Sequence, residues 1–158
     1  MRFEIEGKPV AEQRHRTAAR NGKTIRYLPK ETKNYQKLIQ NKFKQEMERA
    51  NQELPLFKKN EEVALIVYVG KEIPKSYTKK KTNDILENGR KPITKPDVDN
   101  YAKIVMDALN GLAYKDDNQV STVLVKKMYV NPGTPEKMLI DIERDLPKEI
   151  IDKINKGE

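Results

Sequence analysis

The sequence predicts one α/β domain in which a mixed β-sheet is flanked by helices. Three observations carry this prediction. Residues 63–69, Val-Ala-Leu-Ile-Val-Tyr-Val, form a short apolar run rich in β-branched side chains, as in a central strand covered on both faces. Residues 31–50 and 99–110 repeat apolar residues at helical spacing. Residues 120–130 and 137–142 are β-rich and are separated by Asn131-Pro132-Gly133-Thr134-Pro135, a turn composition. The expected order is β-α-β-α-α-β-β-α over residues 1–158, a single domain with no internal repeat and no linker.

The elements follow in order. Residues 2–6 alternate apolar and charged side chains and predict a strand, broken by Gly7-Lys8-Pro9. Residues 13–30 are polar and basic around Asn21-Gly22, which predicts an exposed basic hairpin or loop. The helix over 31–50 carries Tyr35, Leu38, Ile39, Phe43 and Met47 on one stripe, a core face. The run at 63–69 predicts the central strand, ended by Gly70. Ser76 is placed to cap a helix running to about Glu87, with Gly89 after its end. Asp99 is placed to cap the next helix, which buries Ala102, Val105, Ala108, Leu109 and Leu112 and stops at Asn110-Gly111. Residues 137–142 are expected to pair back on 120–130 as a hairpin. Pro147 opens a last helix with Ile150, Ile151 and Ile154, closed by Gly157.

Composition narrows the chemistry. There is no cysteine, so a disulfide framework and thiolate chemistry are excluded. His15 is the single histidine, which excludes a histidine metal cluster. Glycine-rich phosphate loops are absent. No apolar run approaches the roughly 20 residues of a membrane span, and the N-terminus lacks a signal-peptide pattern. The expectation is a cytoplasmic protein with no membrane partner.

Charge is unevenly spread. The chain carries net +8, with net +8 over residues 1–44, net +5 over 71–95 and net −3 over 96–125. Basic flanks attract polyanions such as nucleic acid. Carboxylates facing a phosphate backbone are repelled unless a cation stands between them. Arg14, Arg16, Lys75, Lys79, Lys80, Lys81 and Lys95 are the candidate DNA contacts. Three consecutive lysines at a helix N-terminus oppose the helix dipole, a local cost that favours a role in phosphate binding.

The acidic centre holds five aspartates in the 21 residues 97–117. Asp97 and Asp99 flank one residue, and Lys103 lies one helical turn beyond Asp99. A strand–helix–strand arrangement can bring Asp116-Asp117 back beside them. Converging aspartates without histidine or cysteine suit magnesium or manganese better than zinc. Such a metal activates water and neutralises charge on a phosphate, and a nearby lysine stabilises the same charge. Asp116 and Asp117 are adjacent, so in an extended strand only one of them faces the site. The competing reading of Asp99, Lys103 and Asp107 is an exposed ladder of ion pairs, worth tenths of a kcal/mol each.

The run Lys95-Pro96-Asp97-Val98-Asp99-Asn100, then Lys103, then Asp107-Ala108-Leu109-Asn110-Gly111, then Asp116-Asp117-Asn118-Gln119-Val120, resembles the RusA-like Holliday-junction resolvases. The basic stretch at 73–81, Gly7-Lys8-Pro9-Val10 and Arg14-His15-Arg16 are similar to that family as well. The resemblance implies a magnesium-dependent homodimeric endodeoxyribonuclease of recombination and repair, common in phages and prophages, with manganese able to substitute. It implies a four-way DNA junction as partner, cut by paired nicks. It assigns Asp97, Asp99 and Asp117 to the metal and Lys103 to catalysis, with Asp116 and Asn100 in support. Two other classes remain open: a DNA-binding module whose metal is structural, and a metal-dependent nuclease for other branched forms.

Overall fold

The computed structural model describes residues 1–156, with the side chains of Arg20 and of residues 154–156 outside the description. The elements are β1 (Arg2–Glu6), β2 (Arg16–Arg20), β3 (Lys23–Tyr27), α1 (Lys30–Arg49), β4 (Val63–Lys71), α2 (Lys79–Asn88), α3 (Val98–Leu109), a 3-10 turn (Asp117–Gln119), β5 (Val120–Tyr129), β6 (Lys137–Glu143) and α4 (Lys148–Lys156). The chain is thus a small mixed α+β domain with four helices. The observed order differs from the expected one by the strands β2 and β3, which that order left out. Asn21 and Gly22 both have positive φ, 51° and 71°, which is the two-residue turn that joins twisted strands without splaying them. Gly157, expected to close α4, lies outside the described residues.

Four strands form one sheet in the order β1-β6-β4-β5, with β4–β5 parallel and the other pairs antiparallel. The hairpin β2–β3 is a separate exposed ribbon. β4 is central, as its apolar run implies. Its odd-numbered residues, Val63, Leu65, Val67 and Val69, are fully buried against the helices. From α1 come Tyr35, Ile39, Phe43 and Met47, and from α3 come Tyr101, Ile104, Val105, Ala108 and Leu109. Phe3 of β1 and Phe43 of α1 meet with ring centroids 5.9 Å apart, closing the sheet–helix layer on that side. Leu38, expected on the α1 stripe, is 46% exposed. It sits about 100° round the helix from Ile39, while the buried residues recur every fourth position.

Three further expectations change. Residues 137–142 do not pair with 120–130, because β6 lies between β1 and β4. β5 occupies one edge of β4, so β6 takes the other edge; alternation marks a strand without naming its neighbour. Gly70 does not end β4 but pairs inside it, opposite Lys137 and Met128. The β5–β6 connection crosses β4 at this point: a Cβ on Gly70 would stand 2.7 Å from Val130 Cγ1 and 3.4 Å from Lys137 O. Ser76 is not the α2 cap. The helix starts at Lys79, and Thr78 Oγ1 accepts from Lys81 N at 3.3 Å. Gly89 ends α2 in the left-handed conformation as expected. Among the described residues no helix is long and apolar enough to cross a membrane.

Gly70→Ala is expected to destabilise the fold by about 1–3 kcal/mol, the usual cost of overpacking. Adding Val130→Ala should recover most of that loss, because the clash is with the valine methyl. Urea unfolding of the two variants checks both statements.

Candidate functional site

Helix α3 begins two residues earlier than expected, at Val98, so Asp97 and not Asp99 holds the N-cap position. Asp97 has extended backbone, φ −76° and ψ 158°, and its side chain makes no capping bond. A residue type that normally spends its carboxylate on the free N–H groups leaves it available here. Asp99 lies in the first turn, where the helix dipole favours a negative charge, and Oδ1 accepts from Asn100 Nδ2 at 3.1 Å. Neither carboxylate joins an ion pair among the described residues. Asp99, Lys103 and Asp107 follow at intervals of four along the exposed face, a stripe of about 12 Å from the first to the last.

The turn after α3 is built by Gln119. Its buried amide donates to Lys58 O and Glu61 O at 2.7 and 2.9 Å and accepts from Lys115 N at 2.9 Å and Asp116 N at 3.3 Å. Asp116 caps the 3-10 turn, accepting from Asn118 N at 3.0 Å. Its carboxylate is occupied locally, and Asp117 is the free one of the pair. Backbone turning, and not strand alternation, makes this distinction. Asp117 stands close enough to Asp107 to help push its carboxyl upward. It therefore comes beside Asp107, two helical turns from Asp99. Among the described residues no three acidic or histidine side chains converge to enclose a metal ion. The reason is topological: β5 starts at the end of the sheet opposite the loop that delivers Asp97.

One site residue escaped the sequence reading. Glu12, on the segment after β1, is 7% exposed. Its backbone N donates to Asn100 O at 2.9 Å, which docks this segment on the first turn of α3. Oε2 accepts from Gln36 Nε2 at 3.3 Å, and Oε1 is buried without a partner. Burial first, and then repulsion from Asp107, pushes the Glu12 carboxyl above the ordinary glutamate range, against Lys103 and His15. Burial likewise raises Asp107, again opposed by Lys103 and His15. Glu12, His15, Lys103, Asp107 and Asp117 thus share one electrostatic neighbourhood. A lone glutamate in a basic segment gave no signal in the sequence.

A cavity of about 670 Å³ lies between this segment and the start of α3, and Arg14, Lys95, Asp97 and Asn100 line it. Arg14 and Lys95 are therefore brought to the same cavity as Asp97. Arg16, Lys75, Lys79, Lys80 and Lys81 are exposed and stand outside this cavity. Lys79, Lys80 and Lys81 form the first turn of α2, with Lys81 Nζ 3.4 Å from the centre of the Tyr77 ring. Two lysines the sequence reading did not single out, Lys71 and Lys127, reach the loop before Asp97. Lys71 Nζ donates to Lys95 O at 3.2 Å, and Lys127 Nζ donates to Thr94 O and Pro96 O at 2.8 and 2.9 Å.

The donor set fits a hard divalent cation. Asp97 and Asp99 offer carboxylate oxygens uncommitted to capping or ion pairs, with no thiolate or imidazole pair nearby. Magnesium needs only one or two carboxylates, since it retains waters and takes further oxygens from a phosphate.

The family described as Endodeoxyribonuclease RusA matches residues 6–138. A Bacillus subtilis (strain 168) protein called "Uncharacterized protein YqaN" is 37% identical over 144 residues, which cover 90% of this chain and 96% of that protein.

The raised carboxyls set a pH dependence. A carboxyl whose folded pKa lies above its unfolded value costs stability above the folded pKa, and the cost vanishes below the unfolded one. Glu12→Gln is therefore expected to raise the metal-free melting temperature at pH 7, with the gain fading as pH falls toward the ordinary glutamate range. Thermal unfolding of the two proteins across pH 4–8 reads this directly.

Proposed function

This chain belongs to the RusA endodeoxyribonuclease family, and we propose that it cuts four-way DNA junctions by magnesium-dependent hydrolysis, as part of recombination and repair. The observation that carries the reading is the pair of uncommitted carboxylates, Asp97 and Asp99, at the N-terminus of α3, with Lys103 one turn further on. Asp97 and Asp99 hold the metal, whose remaining positions fall to water and phosphate oxygens; Asp117, which the resemblance also assigns to the metal, stands two helical turns away beside Asp107 and contributes negative charge at the far end of the stripe. Bound magnesium, or manganese in its place, would polarise the scissile phosphate and acidify a water. Lys103 faces the charge that grows on the phosphate and its leaving oxygen. Asn100 supports Asp99 through its side-chain amide and holds the Glu12 segment through its carbonyl. Asp116 supports Asp117 by fixing the turn that presents it.

The basic residues account for binding. Arg14 and Lys95 stand in the cavity with Asp97, and Lys79, Lys80 and Lys81 present a second cluster at the start of α2. Arg16 on the exposed hairpin and Lys75 ahead of α2 extend the charged surface. A second copy of the chain completes the proposal, because a four-way junction presents two equivalent strands and a two-fold dimer matches them. The sheet face turned away from α1 and α3 carries Tyr68, Leu124, Met128 and Leu139, all only half-buried, and supports such a contact.

Asp97→Asn and Asp99→Asn are each expected to lower junction cleavage in magnesium by at least a hundredfold, and Asp117→Asn by less, while junction binding in calcium stays equal or tightens. Asp116→Asn should cost less than Asp117→Asn, because an amide oxygen can still accept from Asn118 N. Comparing four-way, three-way, flap and linear substrates separates a junction enzyme from a general nuclease. Full cleavage by Asp99→Asn would refute the metal assignment. Replacing Lys79, Lys80 and Lys81 by alanine should reduce the slope of log affinity against log salt by about 1–3. The loss should fall at the low end if Lys81 stays over Tyr77. Sedimentation at low micromolar concentration should give twice the chain mass.

A further inference from the structure

We infer that Lys127, assisted by Lys71, is a positioning residue that clamps the loop carrying Asp97; this rests on the metal-site reading above. The loop has little else to hold it. Of residues 91–95 only Pro92 is buried, and Ile93 is 94% exposed. Core packing therefore does not fix its path. Three successive carbonyls, those of Thr94, Lys95 and Pro96, turn toward the sheet and meet two ammonium groups: Lys127 takes the outer two and Lys71 the middle one. Residues 91–96 make no other hydrogen bond among the described residues.

The clamp is written into the two parallel strands. Val67 pairs with Val125 and Val69 with Lys127, and Lys71 follows at the end of β4. Residues 67, 69 and 71 share one face of β4, and residues 125 and 127 share that face of β5. That face is apolar beneath α3 and changes to lysine where α3 gives way to the loop. A charged donor to a carbonyl is stronger than a neutral one. One lysine spanning two carbonyls, at 2.8 and 2.9 Å, restrains both ends of the Thr94–Pro96 segment. Lys71 and Lys127 stand apart from the candidate DNA contacts, and their geometry makes them part of the scaffold.

The test compares Lys127→Met, Lys127→Arg, Lys71→Ala and Asp97→Asn as purified full-length proteins. In metal-free protein, the backbone 15N order parameters of Thr94, Lys95 and Asp97 should fall clearly in Lys127→Met. Those of β4 and of the α3 interior should stay unchanged. Cleavage by Lys127→Met should need several-fold more magnesium for half-maximal rate, with junction affinity in calcium within twofold of the parent. Lys127→Arg should restore most of both readouts. Lys71→Ala, which loses one longer bond on an exposed side chain, should shift both in the same direction by less, and it serves alone if Lys127→Met fails to fold. Unchanged loop order parameters and unchanged magnesium dependence in Lys127→Met, with Asp97→Asn inactive, would overturn the clamp and leave the metal site standing. Weakened junction binding with a reduced salt slope would overturn it in favour of a phosphate contact. Normal cleavage by Asp97→Asn would remove the metal-site reading beneath it.

Discussion

The parallel pairing of β4 with β5 is the constraint on which the rest depends. Parallel neighbours cannot be joined by a tight turn, so the chain from Glu72 to Gln119 must travel back along the sheet before β5 begins. That return supplies α2, the loop at 89–97 and α3. Because α3 runs opposite to the strands, its N-terminus sits at their carboxyl ends, where open α/β sheets place their ligands. Asp97 and Asp99 are there for that reason. The same pairing leaves β6 no edge of β5-bound β4 except the far one, so the β5–β6 connection must cross β4. Gly70 makes the crossing sterically feasible.

Electrostatics adds a second layer to this frame. A basic chain gathers its carboxylates along one face of α3 and around it, and the fold makes concessions to keep them. Glu12 is buried with one oxygen unpartnered, and Asp107 is held partly desolvated near Asp117. Lys103 and His15 offset part of that cost. Sites that hold like charges together commonly sacrifice stability in this way. Asp116 and Gln119 show the opposite strategy. Each polar atom is spent on a turn, so that the neighbouring Asp117 is left free.

The elements that were legible in the sequence are those whose signal is local. The α1 and α3 stripes, the apolar β4 run, the Asn21-Gly22 turn and the glycine after α2 each depend on neighbours within a few residues. The candidate ligands were legible as a motif, Asp97-x-Asp99 with Lys103, because they lie on contiguous chain. Errors arose where a one- or two-residue shift changes a role. Thr78 displaced Ser76 as a cap, Asp97 displaced Asp99, and Leu38 fell off the stripe it seemed to share. Caps are chosen by where the first helical residue falls, which tertiary packing sets.

Long-range partners were not legible. Nothing in residues 120–142 distinguishes a hairpin from two strands separated by β4, because alternation fixes which face is buried and not which edge is paired. Glu12, Gln119, Lys71 and Lys127 look like surface residues until the chain is folded; their long-range partners are 24 to 88 residues away. The sequence by itself determined the class of domain, the helices, the central strand and the acidic motif, since backbone propensity and periodicity act over short spans. Only the tertiary structure decided the strand order, the separation of Asp117 from Asp97 and the use of two lysines as scaffold. Those outcomes depend on which distant polar groups burial forces to find one another.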